Sequence, residues 1–254
     1  MSEEKGGGGI SLATKSMWKT PENFFPIVVD NFFDDPETLA NFGKSLPKHR
    51  ADRHPGKRSE HLWQIDKELH LAILRKILCC YYDLEYLDIS WKFCDLTFHE
   101  IPRFSENKND IRNKGWIHQD QPSDFQLAGL IYLTPNIDPD SGTSLYNAKS
   151  NKHHRIYSKD LLYRDGLFDR EEHIKSQTKH EENFVEKLRV QNIFNRMVMY
   201  DANEFHGANS YWNDDGKDTR LTLVFFIGGI EGTEFPLQRT KHYESIINDR
   251  IGKK

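Results

Sequence analysis

The alternation of apolar and polar positions divides the chain into a helical opening and a β-rich remainder. Residues 24–33 (FFPIVVDNFF) are a run of β-branched and aromatic side chains, which predicts a strand. The run stops at Asp34-Asp35-Pro36-Glu37, an N-cap followed by proline in the first helical turn, so a helix is expected to begin there. A second helix is predicted over 66–82. Leu69, Ile73, Ile77 and Cys80 recur there at three- and four-residue spacing, while Lys67, Glu68, Arg75 and Lys76 lie mostly on the opposite side. From Ile89 onward the pattern shortens to strands at 89–99, 127–133, 142–146, 197–200 and 220–227, separated by polar turns that carry Pro and Gly. This order implies an all-β sandwich or barrel packed on N-terminal helices.

Two polar segments interrupt the β region. Residues 103–115 (RFSENKNDIRNKG) read as a mobile surface loop. Residues 147–192 form a longer, charged insertion, with an amphipathic helix expected over 168–188 through Phe168, Ile174, Phe184 and Leu188. At the other end, Gly6 to Gly9 neither pack nor hold one conformation, so residues 1–20 are expected to be a flexible N-terminal tail and 21–254 a single domain.

Composition narrows the function classes. Thirty-five Lys and Arg against 39 Asp and Glu give a net charge of -4, which supplies neither a global basic field for nucleic acid nor a polybasic membrane address. An anionic ligand must therefore be held locally. Three cysteines, two of them adjacent at 79 and 80, draw neither a disulfide framework nor a metal knuckle. With no apolar leader core and no run of about 18 apolar residues, the expected setting is cytoplasmic, without a membrane.

Twelve histidines raise the question of a metal, and chance has to be set aside first. At the frequency of acidic residues in this chain, about two His-x-Asp/Glu occurrences are expected without any function, and three are present. His180-x-Glu182 sits in a charged run on the expected surface helix and His242-x-Glu244 near the C-terminus, where solvated faces explain both. His118-x-Asp120 differs. It precedes the most apolar strand of the chain, LAGLIYL, and a spacing of two in extended backbone points both side chains to one face. His206 follows another apolar strand and precedes Gly207, where the chain could approach an ion closely. Two histidines and one carboxylate make a facial triad suited to non-haem Fe(II), with positions left open for substrate and dioxygen. Arg220 heads the strand RLTLVFFI, whose two alternating faces are both apolar, and an arginine at such a mouth needs an anion.

With these residues in place the sequence resembles the 2-oxoglutarate and Fe(II)-dependent dioxygenases, in their prolyl-hydroxylase-like branch. FPIVVDNFFDDPE resembles the opening strand and helix of that branch, IHQD its first metal motif, IYLTPN and SGTSLY its central strand and turn, MVMYDANEFHGA its second-histidine segment and RLTLVFFI its cosubstrate strand. The resemblance implies a double-stranded β-helix, that is a jelly-roll or cupin-like core, mainly β with N-terminal helices and here with a helical insertion. It implies His118, Asp120 and His206 as ligands of Fe(II) and Arg220 as the grip on the distal carboxylate of 2-oxoglutarate. Tyr132 and Thr222 match cosubstrate-binding positions of the branch. The activity so implied is hydroxylation of an unactivated C-H of a peptide side chain such as proline, or of a small molecule, consuming dioxygen and yielding succinate and CO2. Two other functions stay open. One is a cupin-like metal- and ligand-binding sensor without turnover. The other is a nucleic-acid demethylase, disfavoured because relatives of that kind carry a second arginine where this chain has Phe226, so no nucleic-acid partner is expected.

Overall fold

In the computed structural model the described residues are 8–9, 24–50, 54–120, 125–149, 169–212, 219–233 and 246–251. The opening helix forms where its start signal stands. In α1 (Pro36–Ser45), Asp35 accepts the backbone N-H of Thr38 at 3.1 Å and proline takes the first position, where its missing N-H costs nothing. A short turn, α2 (Leu62–Ile65), leads into α3 (Lys67–Leu78), capped by Asp66 through the Leu69 N-H at 2.9 Å. This helix ends at Leu78, four residues before the expected limit, and buries His70, Ile73, Leu74, Ile77 and Leu78.

Every strand pair is antiparallel. The strands are β1 (Gly8–Gly9), β2 (Ile27–Val29), β3 (Lys48–Arg50), β4 (Lys57–Ser59), β5 (Ile89–Trp91), β6 (Phe93–Ile101), β7 (Phe125–Tyr132), β8 (Thr143–Ala148), β9 (Phe184–Val190), β10 (Met197–Asp201), β11 (Phe205–Ala208), β12 (Arg220–Gly228) and β13 (Glu231–Gly232). Seven of them form one sheet in the order β2-β10-β7-β12-β6-β4-β3, and β11-β8-β9 form a second. A small third sheet, β1-β5-β13, pairs Gly8 and Gly9 with Trp91 and Ser90, so these two residues of the segment expected to be a tail lie in a ladder. The rest of residues 1–20 lies outside the described residues.

The chemistry of β12 explains the layers. Leu221, Leu223, Phe225 and Ile227 face the helices together with Ile73, Leu74, Ile77 and Leu78. The alternate set faces the three-stranded sheet, where Ala128, Tyr132, Val198 and Tyr200 meet Leu145 and Val190, with Phe226 packed against them. Both faces are dry because a sheet covered on both sides buries every side chain of its central strands. Gly129 lies in that centre. A Cβ there would stand 2.4 Å from both Phe225 Cζ and the Val198 carbonyl oxygen, which is why the most apolar strand is interrupted by glycine.

The insertion departs from expectation. Its helix, α4 (Arg170–Glu181), ends well before residue 188, and Phe184 and Leu188 belong to β9, where they pair with Ala148 and Leu145 of β8. Residues 184–190 (FVEKLRV) are rich in Val, Phe and Leu, and their ladder with β8 overrides the helical spacing. Residues 150–168, including Phe168, lie outside the described residues. The buried face of α4 is polar, built from His173 and Gln177, whose side chains bond each other at 3.0 Å. Nor is 103–115 a featureless loop. Fully buried Asn113 accepts the N-H groups of Phe104 and Ser105 and donates to the carbonyls of Ser105 and Asn107, and Asp110 holds Arg112 and Arg170 of α4. Side-chain to backbone bonding organises this segment where apolar packing does not.

His70 yields a prediction. It is 1% exposed, stands edge-on to Trp63, and neither ring nitrogen has a partner among the described residues; burial, assisted by the charge of His61, pushes its pKa down to about 4. An imidazole kept neutral in the fold, with an ordinary value near 6.5 when unfolded, leaves stability unaffected above that value. It destabilises increasingly as pH falls from about 6.5 toward 4, because only the unfolded chain takes up the proton. In urea unfolding between pH 7 and 4.5, His70→Leu should lose less stability on acidification than the wild type. Parallel curves for the two proteins would refute this assignment.

Candidate metal centre

The site begins with two backbone hydrogen bonds. The N-H of His118 donates to the His206 carbonyl at 2.9 Å and the N-H of His206 returns to the His118 carbonyl at 2.8 Å, an antiparallel bridge that lays 116–120 along β11. The same segment is held on either side. Gly115 N-H donates to Ala208 O at 2.7 Å and Asp120 N-H to Ala202 O at 3.1 Å. The tight turn before β11 is organised by Asp201, which accepts the backbone and side-chain nitrogens of Asn203 on Oδ1 and the Phe24 N-H on Oδ2. The strand registers thus bring together two sequence positions 88 residues apart.

Extended backbone puts Asp120 on the same face as His118, as the spacing of two requires. His206 Nε2 lies 3.3 Å from Asp120 Oδ2 and His118 Nε2 lies 3.7 Å from Asp120 Oδ1. One donor atom from each residue falls within 4.8 Å of the other two, and among the described residues this is the one His/Cys/Asp/Glu group so arranged. The other ring nitrogens are committed. His118 Nδ1 stands 2.8 Å from the Trp116 carbonyl and His206 Nδ1 2.9 Å from the Glu204 carbonyl. A carbonyl only accepts, so each Nδ1 donates there and each Nε2 is the nitrogen turned to the carboxylate. This is the preparation a metal ligand needs from its outer hydrogen bond. Two imidazoles and one carboxylate fit Fe(II) and leave coordination positions open.

Arg220 is 3% exposed, and its Nε and Nη2 have no hydrogen-bond partner among the described residues. Its guanidinium carbon lies 5.4 Å from the ring centre of Tyr132. Tyr132 is fully buried and donates its hydroxyl to Thr143 Oγ1 at 2.8 Å, while burial raises its pKa. Thr222, also fully buried, stands opposite Tyr132 in the ladder and directs its hydroxyl toward the His99 carbonyl at 3.5 Å. Tyr200 connects the two halves. Its ring lies 4.6 Å from that of His206, and its pKa is pushed well up by burial and then by the charges of Asp120 and Tyr132, against the opposing pull of Arg220.

The other two His-x-Glu pairs part company with the triad. His180 is half-buried, contrary to the solvated face expected of it. Its Nε2 stands 2.7 Å from the Ile117 carbonyl and its ring packs on Trp116, so α4 braces the strand that carries His118. His242 lies outside the described residues. Sequence reasoning also missed Arg58, His99 and Tyr200. His99 lies on the polar alternate face of β6 with Asp95 and Thr97, opposite Cys94, Leu96 and Phe98, and Arg58 sits in a strand of three residues, so no local pattern marks either as part of a site.

The site is of the two-histidine, one-carboxylate class, set between two antiparallel sheets. Over residues 17–227 the chain matches the model described as "Family of unknown function (DUF6445)", and it belongs to that family. No curated protein matches it. Its structural neighbours are 2-oxoglutarate/Fe(II)-dependent oxygenases at low identity. A prolyl hydroxylase from Trichoplax adhaerens, solved with a peptide of the oxygen degradation domain of hypoxia inducible factor, is 14% identical with a TM-score of 0.42, over 80% of this chain and 83% of that one. HygX from Streptomyces hygroscopicus, with nickel, 2-oxoglutarate and hygromycin B bound, is 13% identical with a TM-score of 0.46, over 80% and 81%. EvdO2 from Micromonospora carbonacea var. aurantiaca is 13% identical with a TM-score of 0.44, over 81% and 86%.

If the triad is the metal centre, the protein should take up one Fe(II) or Ni(II) per chain in anaerobic titration, and His118→Ala/His206→Ala should take up none while keeping its far-UV circular dichroism. The core residues around the site are apolar without them, so the fold should survive. Stoichiometric metal in the double variant would remove the assignment.

Proposed function

We propose that the protein is a non-haem Fe(II) and 2-oxoglutarate-dependent oxygenase, built on a double-stranded β-helix within a single domain over 21–254. In this reading it hydroxylates an unactivated C-H of a small molecule or a peptide side chain and releases succinate and CO2. The observation that carries the reading is Arg220. A guanidinium 3% exposed, with two nitrogens unpaired among the described residues, is costly unless an anion completes it, and its charge acts on Tyr200, as does that of Asp120 in the triad.

The assignment of work follows from the residues. His118, Asp120 and His206 would hold the metal, which when bound supplies dioxygen activation. Arg220 presents a planar fork that matches both oxygens of a carboxylate, and so fixes the far end of 2-oxoglutarate. Thr222, two residues along β12 from Arg220, and Tyr132, opposite Thr222 in the ladder, add hydroxyls beside the guanidinium. Val198, Leu145 and Tyr200 exclude water, which strengthens every charge interaction inside. Asp120 matters to the outcome, since a complete carboxylate ligand favours hydroxylation over chemistry that needs that position for a halide. A cytoplasmic setting belongs to this reading and is supported by the three free cysteines, and among the described residues no helix is long and apolar enough to cross a membrane.

Anaerobic titration of the Fe(II)-loaded protein with 2-oxoglutarate tests the proposal. The wild type should bind it, and Arg220→Ala should weaken it about a hundredfold, equivalent to about 2.7 kcal/mol, with metal binding intact. Arg220→Lys should recover only part, since one ammonium lacks the planar fork. Metal binding without any 2-oxoglutarate binding in the wild type would favour a sensor. Undiminished affinity in Arg220→Ala would make that arginine structural.

A further inference from the structure

A second guanidinium enters the same interior from a strand that nothing in the proposed chemistry uses. Arg58 of β4 stands opposite His99, His99 opposite Thr222, and Thr222 opposite Tyr132, so the four residues form one rung across the large sheet. In antiparallel ladders residues directly opposite share a face, and this face is the one turned to the smaller sheet. From its rung the Arg58 side chain reaches to the ring of Phe226, with its guanidinium carbon 5.6 Å from the ring centre.

The surroundings leave its charge unanswered. The Nε of Arg58 is buried and has no hydrogen-bond partner among the described residues. Asp120 and Asp95 act on it only through space, and burial pulls its pKa down to about 10, so it remains a cation at neutral pH. The two imidazoles beside it supply no counter-charge. His99 bonds the Pro55 carbonyl and His54 packs edge-on to His99. Burial, followed by the charge of Arg58, holds both well below the usual histidine range.

The position separates this cation from the one assigned to the cosubstrate. Arg220 lies over Tyr132, on the rung of Thr222, whereas Arg58 lies over Phe226, which is four residues further along β12. The two guanidinium groups therefore stand over different aromatic rings, borne by positions about 13 Å apart along the strand. The charge of Asp120 reaches Arg58 as well, which places this second cation within electrostatic range of the triad. The unpaired Nε edge offers two parallel donors in one plane, the arrangement that recognises a carboxylate.

We propose that Arg58 is the anchor for a carboxylate of the primary substrate, seated over Phe226, whereas Arg220 stands over Tyr132. This rests on the oxygenase reading for the word substrate, while the anion site itself stands on the geometry of Arg58. It narrows the substrate class to a free acid, such as an amino or hydroxy acid, in preference to an internal residue of an uncharged peptide segment.

Benzoate and its uncharged isostere benzamide are suitable probes, followed by ligand-observed NMR on the full-length metal-free chain. Wild type and Arg220→Ala should both bind benzoate, and benzamide should bind at least tenfold more weakly. Arg58→Gln should lose tenfold or more in benzoate affinity, with Arg58→Lys in between and far-UV circular dichroism unchanged in both. Equal benzoate affinity in folded Arg58→Gln and wild type would overturn the assignment, as would equal binding of benzamide. If Arg58→Gln fails to fold, the benzoate-to-benzamide ratio in Arg220→Ala and Arg58→Lys decides in its place. Titration with 2-oxoglutarate in the Fe(II)-loaded wild type separates the two proposals. Benzoate binding that depends on Arg58, without any binding of 2-oxoglutarate, would leave the anion site and remove the oxygenase reading. Binding of 2-oxoglutarate that survives Arg58→Gln alongside unchanged benzoate affinity would do the reverse.

Discussion

The reciprocal pair of hydrogen bonds between His118 and His206 is the constraint from which the site is built. Each histidine donates its own backbone N-H to the other, so one bridge sets the depth, direction and spacing of two candidate ligands at once. The third candidate follows from strand geometry, because Asp120 is two residues along the same extended segment. The parts that seem remote from the chemistry serve this bridge. Asp201 forms the turn that starts β11, and α4 supports the Ile117 carbonyl through His180.

The helices and the long strands were legible because their burial is periodic. Asp35-Pro36 and Asp66 cap the helices they announce, and β12 reads as buried on both sides, which it is. The histidine and aspartate positions were legible for a different reason, since their context of apolar strand was stronger than their motif. Errors fell where polar groups do the packing. Residues 184–188 carry a helical spacing of Phe and Leu, yet their partner is a strand edge that no local pattern records. The segment 103–115 looked unstructured because its organiser is one asparagine. Arg58 left no signal at all, being a charged residue in a three-residue strand.

Charge is distributed in a way that the net value conceals. The chain carries an overall -4, yet the interior between the sheets holds two arginines without ionic partners among the described residues, and the histidines nearest one of them are kept neutral. Folding such an interior costs free energy that binding an anion would return. On the proposed reading, small anions are the ligands that would stabilise this interior.

The outer hydrogen bonds of both histidines end on main-chain carbonyls, those of Trp116 and Glu204. In many metal sites the corresponding acceptor is a carboxylate side chain, and exchanging that side chain retunes the metal. Here Trp116 and Glu204 keep their carbonyl groups whatever side chains they carry, so ordinary substitution at either position leaves the tautomer of the ligand in place. The orientation of the two Nε2 atoms is thereby insulated from side-chain replacement at those two positions.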